Sequence, residues 1–272
     1  MELTASLFAA VLVVSLFCQY LSLSLGAGYG TAVTPIFIIM GFSPVQVVPA
    51  VLLSQLAGGL VGGALHHRAG NIDLDFRRDE NIKNRLRRLG YLPRSTDAKI
   101  VLVLVACGVI GVMIGAVTAV NIPTIVLETY IGVMVLGIGV NLLLPRKVQG
   151  TFSWTGIVAL GLVSAFNKGV SGGGYVPLVA GGQILSGRGA RNSVGSTAVA
   201  VAIVCAVGFL TYLLMEGDIY WRLAVATVIG SVVASPFAAL TVRRVNTRRL
   251  TLAIGAATVI LGILTLVRAF VL

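Results

Sequence analysis

The run Asn167-Lys168-Gly169-Val170-Ser171-Gly172-Gly173-Gly174-Tyr175-Val176-Pro177 decides the fold. It separates an apolar stretch, Phe152 to Phe166, from a shorter one, Tyr175 to Leu185. At about 1.5 Å per residue, the shorter piece crosses only half of a ~30 Å hydrocarbon layer. Non-helical backbone at that depth must have its N–H and C=O groups satisfied by protein, water or a ligand. Glycine lets the chain turn sharply there and lets a ligand approach the backbone closely. Pro177 suits the opening of a helix, where no backbone N–H is required.

The same order of features stands earlier in the chain. Gly26-Ala27-Gly28-Tyr29-Gly30 precedes a second short apolar piece, Thr31 to Met40, which carries Pro35. Placing Pro35 on Pro177 gives an offset of 142 residues and brings Ser54-Gln55 onto Thr197-Ala198 with one residue of slippage. The chain therefore reads as a duplication, with a first transmembrane repeat over 1–145 and a second over 146–272.

A spanning helix needs about 20 apolar residues, and eight stretches are candidates: Thr4 to Leu25, Pro44 to Leu65, Ile100 to Val120, Ile125 to Leu144, Phe152 to Phe166, Ser193 to Met215, Leu223 to Val242 and Leu250 to Val267. The first lacks a basic leader and is too long for a cleaved signal, so it is expected to stay as a helix. The 272 residues are 57% apolar and only 11% charged, with mean hydropathy +0.99. That composition excludes an ordinary soluble enzyme and a disordered chain. The expected class is an all-α integral membrane protein of about eight hydrophobic helices plus two half-helices. Cys18, Cys107 and Cys205 lie in apolar stretches and read as packing residues. Gly58, Gly59, Gly62 and Gly63 have the small-xxx-small spacing of close helix packing.

Charge sets the topology. The formal net charge is +11, and Arg68 to Lys99 holds nine Lys and Arg against five Asp and Glu. The basic loop, 66–99, is thereby assigned to the cytoplasm. Eight simple crossings would put Arg188, Arg191, Arg243, Arg244, Arg248 and Arg249 outside. A hairpin of long helix and half-helix, entering and leaving one face, places all of them inside. It leaves three crossings per repeat, so the repeats are inverted. Within the basic segment, Arg77, Arg78, Lys83, Arg85, Arg87 and Arg88 alternate with Ile82, Leu86 and Leu89. This pattern suits an interfacial helix on anionic lipid over Asp75 to Asp97.

Inverted repeats with broken helices place a substrate near the midplane, where the interruptions meet. Lys168 is the only basic residue in the breaks, and an ionised side chain at that depth costs several kcal/mol unless partnered. The only acid inside a span, Glu128, falls in a first turn at the outer interface. A lysine without an acid, beside half-helix N-termini of partial positive charge, makes an anion site. The candidate binding residues are Gly28, Tyr29, Gly30, Thr31, Ser54, Gln55, Asn167, Lys168, Ser171, Gly172, Gly173, Ser196 and Thr197, with Thr34 nearby.

The pairing of Gly28-Tyr29-Gly30 and Pro35 with Gly172-Gly173-Gly174 and Pro177, each followed by a Ser or Thr patch, resembles the TauE/SafE sulfite exporter family. The resemblance covers essentially the whole chain. It implies transport of sulfite or a related organosulfur anion, such as thiosulfate or a sulfonate, across the inner membrane. Leu25 stands where the second copy has Asn167, so the two half-sites are unequal. The expected partners are this anion, membrane lipid and a second copy of the chain, with no nucleic acid, no cofactor and no metal.

Two rival classes follow from the residues. Gly169-Val170-Ser171-Gly172-Gly173 matches the G-x-S-x-G nucleophile pattern, with Lys168 as its base, so a serine hydrolase is one. A passive anion channel is the other, distinguished from a carrier by the absence of saturation and counter-flow. His66 and His67 have no Cys or acid at ligand spacing and do not make a metal site. No Asp, Glu or His is central in the membrane. An inside-negative potential gives about 2.3 kcal/mol per expelled charge per 100 mV, so export of an anion needs no second ion.

Overall fold

The computed structural model describes residues 4–74, 76–78, 91–93, 95–144, 152–241 and 247–271. Helix α1 (Ala5–Leu25) is followed by the half-helix α2 (Tyr29–Ile39) and by α3 (Pro44–Arg68). Two three-residue strands, β1 (Phe76–Arg78) and β2 (Tyr91–Pro93), precede α4 (Thr96–Asn121) and α5 (Thr124–Leu143). The second half runs α6 (Trp154–Ser171), the half-helix α7 (Tyr175–Leu185), α8 (Ala190–Glu216), α9 (Trp221–Thr241) and α10 (Thr247–Val271). The all-α membrane architecture expected from composition is thus observed. Among the described residues, seven helices are long and apolar enough to cross a membrane. The eighth expected span, α6, is not among them, because Asn167 and Lys168 dilute its apolar character.

Along the middle of α4 and α10 the exposed large side chains include Leu102, Ile110, Met113, Ile260, Ile263 and Val267, all apolar. Polar side chains such as Ser54, Gln55, Lys168, Ser196 and Thr227 are instead buried. That distribution suits a lipid solvent, in which polar groups must be satisfied inside the protein.

The two breaks share a pair of glycines at positive φ. Gly26 and Gly172 end α1 and α6 in the left-handed region, with φ 72° and 69°. Their N–H groups donate to the carbonyls of Ser22 (2.8 Å) and Lys168 (2.9 Å). Gly28 and Gly174, at φ 87° and 81°, then open α2 and α7. A side chain at these positions would meet the steric penalty of positive φ. Gly26 and Gly172, Tyr29 and Tyr175, and Pro44 and Ala190 are each 146 residues apart. The proline register of 142 is therefore corrected by one helical turn. Pro177 lies in the first turn of α7, but Pro35 lies in the second turn of α2. Tyr29 and Gly30 are already helical, and Gly169 to Ser171 still belong to α6.

Helix directions are legible from contact registers. Thr227, Ser231 and Ser235 of α9 donate to the carbonyls of Ala50 (3.3 Å), Ser54 (2.8 Å) and Gly58 (2.9 Å) of α3. Both residue numbers rise together, so α3 and α9 are parallel. By contrast, Gly59 faces Ala202 and Gly63 faces Val199, while Gly208 faces Leu52, which makes α3 and α8 antiparallel. Gly132 against Leu266 and Gly139 against Val259 make α5 and α10 antiparallel as well. An added Cβ on Gly58 would lie 1.9 Å from Ser231 Oγ, and one on Gly62 2.7 Å from Leu23 Cδ1. The glycines of α3 are close-packing positions, as their spacing indicated.

The basic segment differs from the expected interfacial helix at its ends. β1 and β2 pair antiparallel, Phe76 with Pro93 and Arg78 with Tyr91. Lys83, Arg85, Arg87, Arg88, Ile82, Leu86 and Leu89 lie outside the described residues, as do Arg243 and Arg244. The histidines serve the turn that follows α3: His66 Nδ1 is 3.1 Å from Asn71 Nδ2, and His67 Nδ1 is 3.2 Å from the Ile72 carbonyl.

Candidate functional site

The breaks meet backbone to backbone. An added Cβ on Gly30 would lie 1.7 Å from the Gly172 carbonyl oxygen and 3.1 Å from Gly173 Cα. One on Gly28 would lie 2.6 Å from Pro177 Cδ. The Gly174 N–H donates to Thr31 Oγ1 across the crossing (3.1 Å). The N-terminal ends of α2 and α7 are thereby brought together, each with a glycine cap that offers no side-chain acceptor to the first turn. Unpaired first-turn N–H groups carry partial positive charge.

Lys168 sits in the last turn of α6, fully buried at 1% exposure. Its Nζ donates to Gln55 Oε1 of α3 and to the Gly172 carbonyl of the second break. Both acceptors are neutral, and among the described residues Lys168 has no carboxylate in salt-bridge range. Hydrogen bonds to a charged group are each worth about 1.5–3 kcal/mol, and two of them offset much of the several kcal/mol of burying the ion. Lys168 is thus held by a side-chain amide oxygen of α3 and a backbone oxygen of the second break.

The other candidates divide into groups. Tyr29 and Ser54 are joined by a 2.9 Å bond from Ser54 Oγ to the Tyr29 hydroxyl, beside Gln55. Thr34 Oγ1 has no hydrogen-bond partner among the described residues and lies about 3.0 Å from where a Gly172 Cβ would be. Asn167 Oδ1 accepts from the Tyr130 hydroxyl of α5. Ser171 Oγ donates to the Asn167 carbonyl (2.7 Å) and accepts from the Gly173 N–H (3.1 Å). The hydroxyl is thus engaged with backbone, and Lys168 is directed at other atoms.

Ser196 and Thr197 belong to a separate network at one end of α7 and α8. Gln183 Nε2 donates to Thr197 Oγ1 (3.0 Å), and Ser196 Oγ donates to Gln183 Oε1 (3.1 Å). Arg188 donates to Gln183 Oε1 and pairs with Asp97 of α4. Asp97 Oδ2 also accepts from Asn192 (3.0 Å) and from the Asp73 N–H (3.1 Å). These contacts put Arg188 on the same face as the basic 66–99 loop.

Sequence reasoning passed over Gln19 and Ser22 of α1. Gln19 is fully buried, and neither amide atom has a hydrogen-bond partner among the described residues. Both residues line a small cavity of about 10 Å³ together with Gln55. The available signal was a primary amide inside an otherwise apolar helix.

The family described as Sulfite exporter TauE/SafE matches residues 88–265, about two thirds of the chain. No curated protein and no solved structure matches it. The match runs through the second glycine break, Lys168, Arg188 and the α8–α10 helices, in a multi-pass membrane architecture. With the two breaks crossing at a buried lysine and the family profile spanning most of the length, this chain belongs to the TauE/SafE sulfite exporter family of membrane transport proteins.

Proposed function

We propose that the protein exports sulfite or a related small organosulfur anion across the inner membrane, binding it where the two glycine breaks cross. The carrying observation is Lys168, buried with Gln55 Oε1 and the Gly172 carbonyl as its hydrogen-bond acceptors among the described residues, beside two half-helix N-termini. The repeats, 1–145 and 146–272, are inverted in this reading. Its support is directional: corresponding helices, α3 with α8 and α5 with α10, are antiparallel neighbours, whereas eight successive crossings would make both pairs parallel. The parallel α3–α9 ladder agrees. With the basic loop in the cytoplasm, the potential drives an anion outward without a second ion.

The test is flux of sulfite, thiosulfate, a sulfonate, sulfate and chloride in proteoliposomes at set membrane potentials. Saturable, potential-driven sulfite or sulfonate flux with counter-flow is expected, and Lys168→Met should abolish it while the protein still folds. Non-saturating flux without counter-flow would favour a channel. Wild-type rate and affinity in Lys168→Met would overturn the electrostatic site.

A further inference from the structure

Beside Gln55, on the side of α1, lies the cavity of about 10 Å³ bounded by Gln19, Ser22, Gly59, Val176 and Ala198. A cavity this size holds about one water molecule. Gln19 is 0% exposed, and both Nε2 and Oε1 are without a partner among the described residues. A buried amide with all its donors and acceptors unmet is destabilising and persists where something else meets them. The backbone is shaped to admit it: an added Cβ on Gly58 would lie 2.8 Å from Gln19 Nε2. Gln55 links this cavity to Lys168, because it lines the cavity and accepts from Nζ. Ser22 occupies the place in α1 that Lys168 occupies in α6, each giving its carbonyl to the left-handed glycine that ends its helix. The two halves thus contribute different groups, a charge from α6 and neutral polar groups from α1.

We infer that Gln19 is a second recognition residue for the anion, donating from Nε2 to an oxygen of a small, singly charged oxyanion, hydrogensulfite from a sulfite solution or a sulfonate, whose charge faces Lys168. This rests on the transport reading above and assigns the α1 side of that site. One positive charge with neutral amides and hydroxyls around it matches one negative charge on a hydrogen-bond-accepting solute. The cavity is too small for a whole sulfite, so the helices that line it, α1, α3, α7 and α8, must separate to admit it.

Gln19→Leu and Gln19→Met remove the amide at similar volume. Each is expected to raise the KM for sulfite in proteoliposomes at least tenfold, and to leave the thermal midpoint without sulfite unchanged or higher. The upward shift of that midpoint on adding sulfite should disappear. A structural role would lower the ligand-free midpoint of both variants and leave the KM within twofold, which would overturn the inference. Native protein and Lys168→Met are run alongside. Loss of flux in Lys168→Met with native KM in both Gln19 variants defeats this inference alone, whereas unchanged Lys168→Met defeats the site reading on which it rests.

Discussion

Gly30 and Gly172 touch across the crossing of the two breaks, with a Gly30 Cβ position only 1.7 Å from the Gly172 carbonyl oxygen. That carbonyl is also an acceptor for Lys168. The approach of two backbones and the placement of the buried charge are therefore one arrangement.

Gly30→Ala should force the breaks apart, costing about 1–3 kcal/mol or more for an overlap against backbone that cannot rotate away. A lower thermal midpoint and loss of sulfite flux are expected. Gly137→Ala is the control, because nothing lies within 4 Å of its Cβ position. Native behaviour of Gly30→Ala would show that the crossing is not fixed.

Gln55→Leu should cost about 1.5–3 kcal/mol of stability by removing one of two acceptors of a buried ion. In a Lys168→Met background the same change should cost much less, since no charge is left to satisfy. A double-mutant cycle on reversible unfolding in detergent measures the difference. Equal costs in both backgrounds would mean that Gln55 does not hold the lysine.

Lys168→Arg should restore anion flux only partly. The planar guanidinium does not occupy the place of a compact ammonium between Gln55 Oε1 and the Gly172 carbonyl. The readout is KM against maximal rate for the best anion, and full restoration would show that charge alone suffices.

Asp97 gathers Arg188, Asn192 and the Asp73 N–H at the end of α4. Asp97→Ala should loosen the join between α4 and the α7–α8 turn by about 3–5 kcal/mol, because it leaves a part-buried guanidinium without its counter-charge. A single cysteine at Thr197, buried in the native chain, should then react with a soluble thiol reagent several-fold faster. An unchanged rate would remove Asp97 as a latch.

Cysteines placed at the exposed Arg191 and Asp218, in a chain without native thiols, should label from opposite sides. An impermeant reagent applied to intact cells is expected to reach position 218 and not position 191. Labelling of 191 from outside would sink the inverted arrangement.

The sequence by itself determined the solvent, the number and length of the half-helices, and the isolation of Lys168 from acids. These are local properties: apolar run length sets what can lie in lipid, and a glycine cluster inside such a run must interrupt it. Tyr175–Leu185 was legible to the residue, while α2 begins two residues before the expected Thr31 because Tyr29 and Gly30 already have helical backbone. The register of the two halves was not legible from the prolines, since a proline is tolerated in either of the first turns of a short helix packed in protein.

Only the tertiary structure decided which polar groups meet. Gln55 reaches Lys168 from 113 residues away because α3 packs against the second break, where a Gly172 Cβ would lie 3.2 Å from Val51 Cγ1. Ser196 and Thr197 join Gln183 instead, because in the register of 146 they correspond to Ala50 and Val51 of α3 and not to Ser54 and Gln55. Gln19 gained meaning only as a buried amide beside a cavity. A pairing between helices depends on direction, rotation and close approach of backbones, and none of these is written in the periodicity of either helix alone.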